Sequence, residues 1–537
     1  MLSLMYPENY TPTGITLDRE VAENLELPYI AMLICPYSTE YALGILTELI
    51  TDESVVRWRQ DVLEDFINVP QLEFKLQRSI KTIYDNAHSV YAKSGSTQSF
   101  YEVQENIASI EAFAECMTDC HGFIQKYGSR IHSEGISRVF AELEDRYNSE
   151  GYRELMKEVA ELKTKLSEGI KSVTFSINFD EVMRPTEIML ISADKDPVRK
   201  KTRFERLLSR SSSAEPISEI YSRKAKDGQI SEVNGALFAE LDALSGGYMK
   251  RVNTAIRRCY EESTDMLIRL SRQIDFYVGV KGLAERAQKM GLPVCRPVIV
   301  PKEQRKFCCT AMHDPVLTSR MFSERVRDNN ILTIRPNDCT MDDSARLLII
   351  SGTNNGGKTT YLRAAGVNQI LAQAGLCIYA EKAEISLCDN IFFLSPKEEK
   401  AGVNTSRFTE ECKDIRRTID AASEYSLILM NESLSSTNPY DSFLLGGEVL
   451  RIYADIGCRL VFTTHIQELA DLPEQLNADK VKSRMVSLVA LCDENGAPTY
   501  RITQGKPDRA RNAQYIFSKF GISFDEYIAD RKNRETR

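Results

Sequence analysis

Gly352-Thr353-Asn354-Asn355-Gly356-Gly357-Lys358-Thr359, followed by Thr360, matches the pattern G-x-x-x-x-G-K-[ST]. The apolar run Leu347-Leu348-Ile349-Ile350-Ser351 ends just before it, and a helical stretch starts at Lys358. The segment therefore reads strand, loop, helix. Glycines let backbone N–H groups turn inward, and the following helix presents its positive end, so the loop is a cradle for nucleotide phosphates. In that cradle, Gly352 to Thr360 would wrap the phosphates of ATP. Lys358 would neutralise the β- and γ-phosphates, and Thr359 would give its hydroxyl to Mg²⁺.

Further along, Leu427-Ile428-Leu429-Met430-Asn431-Glu432 has four apolar residues and then polar groups at the carboxyl end of an expected strand. Ligands of open α/β sheets bind at that end. Glu432 is placed to orient an attacking water. Leu460-Val461-Phe462-Thr463-Thr464-His465 is a third such run, and its histidine is in reach of a γ-phosphate. Short apolar runs alternating with helical stretches from about Ile331 onward predict an α/β domain with a buried parallel sheet.

Ahead of this domain the pattern is helical. Ala42, Ile45, Leu46 and Leu49 recur at three and four spacing, as do Leu63, Phe66 and Ile67, within a helical stretch from about Leu17 to Ile131. Long charged helices are expected from about Gly135 to Lys171 and from about Ile230 to Leu270. At ~35–40 residues, each would reach roughly 50–60 Å. Between them Ser172-Val173-Thr174-Phe175-Ser176-Ile177-Asn178-Phe179 alternates like a strand, with Glu187 to Ser192 as its partner. Two long arms carrying a small, partly β tip follow from this reading. The tip continues with Arg199, Lys200, Lys201, Arg203 and Arg206. This is the strongest basic cluster in a chain of net charge −9, and phosphate backbones attract such clusters. No base-reading motif accompanies it, so backbone contact is what it offers; a solvated helix face or loop is the alternative.

At 537 residues, 42% hydrophobic and 27% charged, the chain can bury sizeable cores and divide into about two to four domains. Its 13 cysteines are scattered, which suits a reducing compartment. Cys116 and Cys120 beside His121 read as one apolar helix face, and Cys308-Cys309 as a buried loop, with no second ligand pair at zinc-finger spacing. No signal pattern opens the chain and no apolar run approaches the roughly 18 residues of a membrane span, so a cytoplasmic protein without membrane association is expected.

The chain resembles the MutS mismatch-repair ATPase family. Ile349 to Arg363 is similar to that family's phosphate loop, including the Tyr361-x-Arg363 that follows it. Glu424-Tyr425-Ser426-Leu427-Ile428-Leu429-Met430-Asn431-Glu432 resembles its Walker B approach. Asn404 to Glu411 lies where its signature segment lies, with Ser406, Phe408 and Glu411 of the family types. Ser435 to Asp441 falls on its inter-subunit loop, and His465 matches its switch histidine. Outside the ATPase, Thr51 to Gln60 resembles the start of the family's core domain, and Leu283-Ala284-Glu285-Arg286-Ala287 the return of its lever helices. The likeness runs from about Leu25 to the C-terminus.

The resemblance implies a multidomain fold: a mainly α core with long lever helices and a small β-containing clamp, then an ABC-type α/β P-loop ATPase domain and a helical C-terminal segment. The intervals expected are a core over 1–134, levers over 135–270 with a tip at about 172–229, a return to the core over 271–325, the ATPase over 326–490, and a dimerisation segment over 491–537. It implies a homodimeric ATPase, using ATP and Mg²⁺, in which Ser406 reaches the partner's nucleotide. The tip cations would grip double-stranded DNA that is mismatched or branched. Ile334 stands where the family places a residue against the adenine base. Two departures stand out. The sequence begins at the core domain, so mismatch-reading and connector domains are expected to be absent, and the Walker B aspartate is replaced by Asn431, which predicts weaker magnesium binding and slow turnover. A nucleotide-gated scaffold holding a protein partner is the alternative reading. An ABC transporter subunit is disfavoured because the Leu-Ser-Gly-Gly-Gln signature is missing.

Overall fold

The computed structural model describes residues 2–77, 100–167, 172–179, 181, 185–194, 248–328, 333–353, 355–396, 407–435, 438–478, 481–493 and 497–507, together with Phe524, Tyr527, Ile528 and Arg531. The basic cluster from Arg199 to Arg206, Asn354, Ser406 and most of the expected C-terminal helices lie outside them. The chain forms two compact units, one of Met1–Gln77, Tyr127–Val139 and Arg269–Arg537, the other of Arg78–Lys126 and Phe140–Ile268.

The first unit opens with helices α1 (Arg19–Asn24), α2 (Leu27–Ile34), α3 (Thr39–Thr47) and α4 (Glu53–Asn68). Their starts follow the sequence. Asp18 and Asp52 accept the backbone N–H two residues on, and Pro28 occupies the first turn of α2, where a missing N–H costs nothing. Asp65 of α4 accepts the N–H groups of His132 and Ser133, which ties the 127–139 segment to this helix.

In the second unit, α5 (Phe100–Tyr127) carries Cys116 and Cys120 on one buried face, their sulfurs 3.9 Å apart, as the apolar-face reading expects. Among the described residues no three His, Cys, Asp or Glu side chains gather to hold a metal ion. The long helix expected from Gly135 to Lys171 is instead two, α6 (Glu134–Asn148) and α7 (Glu150–Ser167). Ser149 breaks it: its hydroxyl donates to Arg146 O and accepts from Tyr152 N, which caps the new helix. Strands β1 (Ser172–Phe179) and β2 (Pro185–Asp194) form an antiparallel pair, as the alternation predicts. The second charged stretch is the 42-residue helix α8 (Tyr248–Lys289), which continues well past Leu270 before it ends.

Two sheets complete the first unit. A four-stranded sheet has the order β3 (Val298–Val300), β7 (Lys382–Ser386), β4 (Phe307–Met312), β5 (Asn337–Met341). Cys308 and Cys309 lie on β4, where strand alternation buries only Cys309; the expected loop is a strand. Helix α9 (Pro315–Asp328) follows β4. The six-stranded sheet has the order β12 (Pro498–Gln504), β11 (Met485–Cys492), β6 (Leu347–Gly352), β10 (Arg459–Thr463), β9 (Leu427–Asn431), β8 (Ile391–Leu394). All its pairings are parallel except β11 with β12. The helical segment expected from residue 491 thus fails over 498–504, where the strand β12 adds to the edge of this sheet.

Helix α10 (Lys358–Gln373) is buried along almost its whole length. A helix buried on every side must have its polar side chains bonded. Asn368 donates to His313 O and accepts from Tyr379 N, Gln369 donates to Ser386 O, and Gln373 donates to Ile50 O and Cys388 O. These bonds fix the rotation of α10 about its axis and so the direction its first turn faces. Helices α11 (Arg407–Ala421) and α12 (Pro439–Ile456) lie on either side of β9 in the sequence and contribute Ile415, Val449, Leu450 and Tyr453 to one apolar core. No helix among the described residues is long and apolar enough to cross a membrane.

Candidate nucleotide site

Register alone brings the sequence-predicted groups together. β6 lies between β10 and β11, with Ile350 opposite Thr463 and Gly352 opposite Ala490, and Thr463 in turn lies opposite Asn431 of β9. Because these strands are parallel, the glycine loop, Asn431-Glu432 and Thr463-Thr464-His465 leave the sheet at the same edge.

The loop needs its glycines. Gly352 has φ +121°, and a Cβ there would lie 2.8 Å from Ala490 O. Gly357 has φ +93° at the N-cap of α10, which has no side-chain cap, so the N–H groups of the first turn are left to an external anion. Lys358 is buried, and its ammonium donates to the carbonyls of Gly352 and Thr353, both at 3.0 Å. Burial pulls its pKa down from the ordinary lysine value, against the Glu432 carboxylate, which raises it.

On the opposite side, Asn431 Oδ1 accepts from the Thr359 hydroxyl at 3.1 Å and from the Thr463 hydroxyl at 3.0 Å. Glu432 has φ +53°, a conformation that costs a non-glycine residue roughly 1–2 kcal/mol. Its N–H donates to Thr463 O at 2.8 Å, which holds it there. The carboxylate Oε1 lies 2.8 Å from His465 Nε2. The two predicted catalytic side chains are therefore partners of each other as well as neighbours of the phosphate loop.

Lys358, Thr359, Glu432 and His465 border a cleft of about 880 Å³ whose lining also includes Asn355 to Gly357, Thr360, Tyr361 and Ile334. The apolar side chain expected against the base is thus part of the same cavity as the cradle. Among the lining residues that the sequence reading does not single out, three stand in well-defined hydrogen-bonded settings. Tyr500, on β12, has φ +57° and half of its surface exposed. Asn337 fixes the strand around it, donating to Tyr500 O at 3.0 Å and accepting from Ile502 N at 2.8 Å. The only sequence signal for Tyr500 was an aromatic in an alternating segment, which many strands share.

The third is His313. Its Nε2–H donates to Pro293 O and its Nδ1 accepts from the Thr318 hydroxyl, both at 2.9 Å. Burial depresses its pKa from 6.5 to about 4. The unfolded chain therefore binds a proton between pH 6.5 and 4 that the folded chain does not. This contribution to stability is full above pH 6.5 and is lost as pH falls toward 4, amounting to roughly 3 kcal/mol at full extent. Urea unfolding from pH 7.5 to 4.5 should show a stability loss that is markedly shallower in His313→Gln; equal slopes would refute the assignment.

The sequence between 348 and 513 matches MutS domain V, and that between 51 and 290 matches the MutS2 N-terminal domain. Domain V is an ABC-type ATPase domain. The chain is 32% identical to a DNA mismatch repair protein MutS of Exiguobacterium over 220 residues, 40% of this chain and 25% of the relative. It is 30% identical over 272 residues to a MutS of Chlorobium phaeovibrioides, covering 44% of this chain and 30% of the relative. An Endonuclease MutS2 of Thermus thermophilus is 30% identical over 174 residues, 32% of this chain and 23% of that protein. The chain thus spans no more than about a third of the length of these curated relatives.

Proposed function

Because the chain belongs to the MutS family, we propose that it is a homodimeric, DNA-associated ATPase whose nucleotide occupies the cleft between the phosphate loop and Glu432. The observation that carries this reading is the convergence of Lys358, Thr359, Asn431, Glu432 and His465 at one edge of a parallel sheet, around an uncapped helix N-terminus.

In the proposed reaction, the oxygen of a water forms a bond to the γ-phosphorus while the bond from that phosphorus to the β–γ bridging oxygen breaks. ADP and phosphate leave, and the water's proton passes to phosphate or solvent. Glu432 orients the water through its carboxylate, and His465 holds that carboxylate and faces the γ-phosphate. Lys358 exchanges its two loop carbonyls for phosphate oxygens. Ile334 and Tyr500 offer apolar and aromatic surface to the base. Ser406, in this reading, completes the partner's site.

The Thr359 hydroxyl and the Asn431 amide oxygen are hard oxygen donors side by side, a set that fits Mg²⁺. Bound there, the ion would offset the charge of the β- and γ-phosphates. Asn431 supplies a neutral oxygen where a carboxylate would supply a negative charge, so Asn431→Asp should lower the magnesium concentration for half-maximal nucleotide binding by about tenfold and raise turnover. Magnesium titrations monitored with a fluorescent ATP analogue, alongside phosphate release, test this; unchanged magnesium dependence would remove charge as the explanation.

Residues 135–270 are proposed as levers and the tip at about 172–229 as a DNA clamp, with Arg199, Lys200, Lys201, Arg203 and Arg206 on duplex phosphates. Recognition would be of DNA shape, such as branches or bends, more than of base identity. Reversing Arg199, Lys201 and Arg203 to Glu should abolish binding of branched DNA in a gel shift while leaving ATP binding intact. If affinity and its salt dependence stay the same, the clamp reading fails and a nucleotide-gated scaffold for a protein partner takes its place.

A further inference from the structure

The turn after β9 is held in an unusual shape. Glu432 and Leu434 both have left-handed backbones, φ +53° and +67°, although neither is glycine. Two such residues within three positions persist only where the surroundings hold them. Part of that hold comes from Glu411. This carboxylate on α11 is almost wholly buried, and its Oε1 accepts the backbone N–H of Leu434 at 2.5 Å. The carbonyl of Leu434 accepts from the Ser442 hydroxyl of α12 at 2.6 Å, and the Ser433 hydroxyl donates to Leu394 O. Leu434 itself is anchored in the apolar core with Ile415 of α11.

We infer that Glu411 is a positioning residue for Glu432: its carboxylate oxygen, bound to the Leu434 N–H, keeps the turn in the left-handed shape that presents the Glu432 carboxylate to the cleft. The inference rests on the proposed hydrolytic role of Glu432. It gives α11 a specific task. A shift of this helix would withdraw the acceptor from Leu434 N–H, leaving a buried donor unpaired, and the turn would relax toward a right-handed or extended backbone. Helix α11 starts at Arg407, next in sequence to Ser406. In a dimer where Ser406 touches the partner's nucleotide, the bond would join one protomer's water-orienting group to the segment that senses the other's nucleotide.

Glu411→Gln and Glu411→Met separate this from a plain packing role. Both fill the space and both remove the charge, but only glutamine keeps an oxygen acceptor for Leu434 N–H. Glu411→Gln should retain most of the turnover, whereas Glu411→Met should lose about tenfold or more in kcat with its ATP Kd unchanged. A methionine variant as active as glutamine, or one that loses ATP affinity together with turnover, would overturn the inference. Glu432→Gln, run in parallel, keeps the two readings apart. Full activity there removes the hydrolytic role of Glu432, whereas an inactive Glu432→Gln with equal 411 variants removes the role of Glu411 alone.

Discussion

Glu432→Gln should bind ATP with wild-type affinity and hydrolyse it about 100- to 1,000-fold more slowly. The substitution keeps shape and polarity, so the His465 contact at 2.8 Å survives as a neutral hydrogen bond and the φ +53° backbone is undisturbed. What disappears is the negative charge that aligns and polarises a water. Since the side chain does not hold the phosphates, ground-state binding is spared, and the loss belongs to kcat. Single-turnover phosphate release, with the Kd of a fluorescent nucleotide measured separately, reads both quantities. Equal single-turnover rates in variant and wild type would show that another group activates the water. His465 is the first candidate for that group, because it is the side chain in direct contact with Glu432.

This site was legible in sequence to an uneven degree. Glu432 and His465 stand just past apolar runs, and Lys358 and Thr359 open the helix after the loop that follows a third; parallel strands bring such ends to one edge whatever the helices between them do. Local pattern was enough there. The arms fared differently, because the periodicity of a charged helix passes through Ser149 almost unchanged, and only the capping bonds of its hydroxyl mark the break. Beyond residue 491 the resemblance implies a helical segment, and the alternation of 498–504 is too short to argue against it. β12 becomes a strand because β11 offers it an open edge and Asn337 pins its backbone from another sheet. Tyr500, Asn337 and His313 owe their positions to contacts more than a hundred residues distant in sequence or to burial, and neither leaves a periodic trace. In sequence Glu411 shows only a family residue type; its bond to Leu434 depends on α11 lying beside the turn that follows β9.

The same cleft supports a second large effect, at Lys358, with opposite signs for the free and the bound protein. With no phosphate to meet, the buried ammonium is desolvated and donates to two backbone carbonyls. Holding a charge there is costly, as its depressed pKa reflects. Lys358→Met fills similar space and removes that cost, so the ligand-free protein should unfold at the same temperature as the wild type or higher. ATP binding should fall by at least about 100-fold, roughly 3 kcal/mol, because charge-assisted bonds to two phosphates have no replacement. Thermal unfolding with and without ATP therefore gives a test in which instability cannot be mistaken for lost binding: the Tm without ATP holds or rises while the ATP-induced shift vanishes. A retained shift would mean that the phosphates are held by backbone N–H groups of the loop and α10 without the lysine. A sharp drop in the ligand-free Tm would mean that the ammonium's bonds to Gly352 and Thr353 organise the empty loop, and that its desolvation costs less than those bonds return.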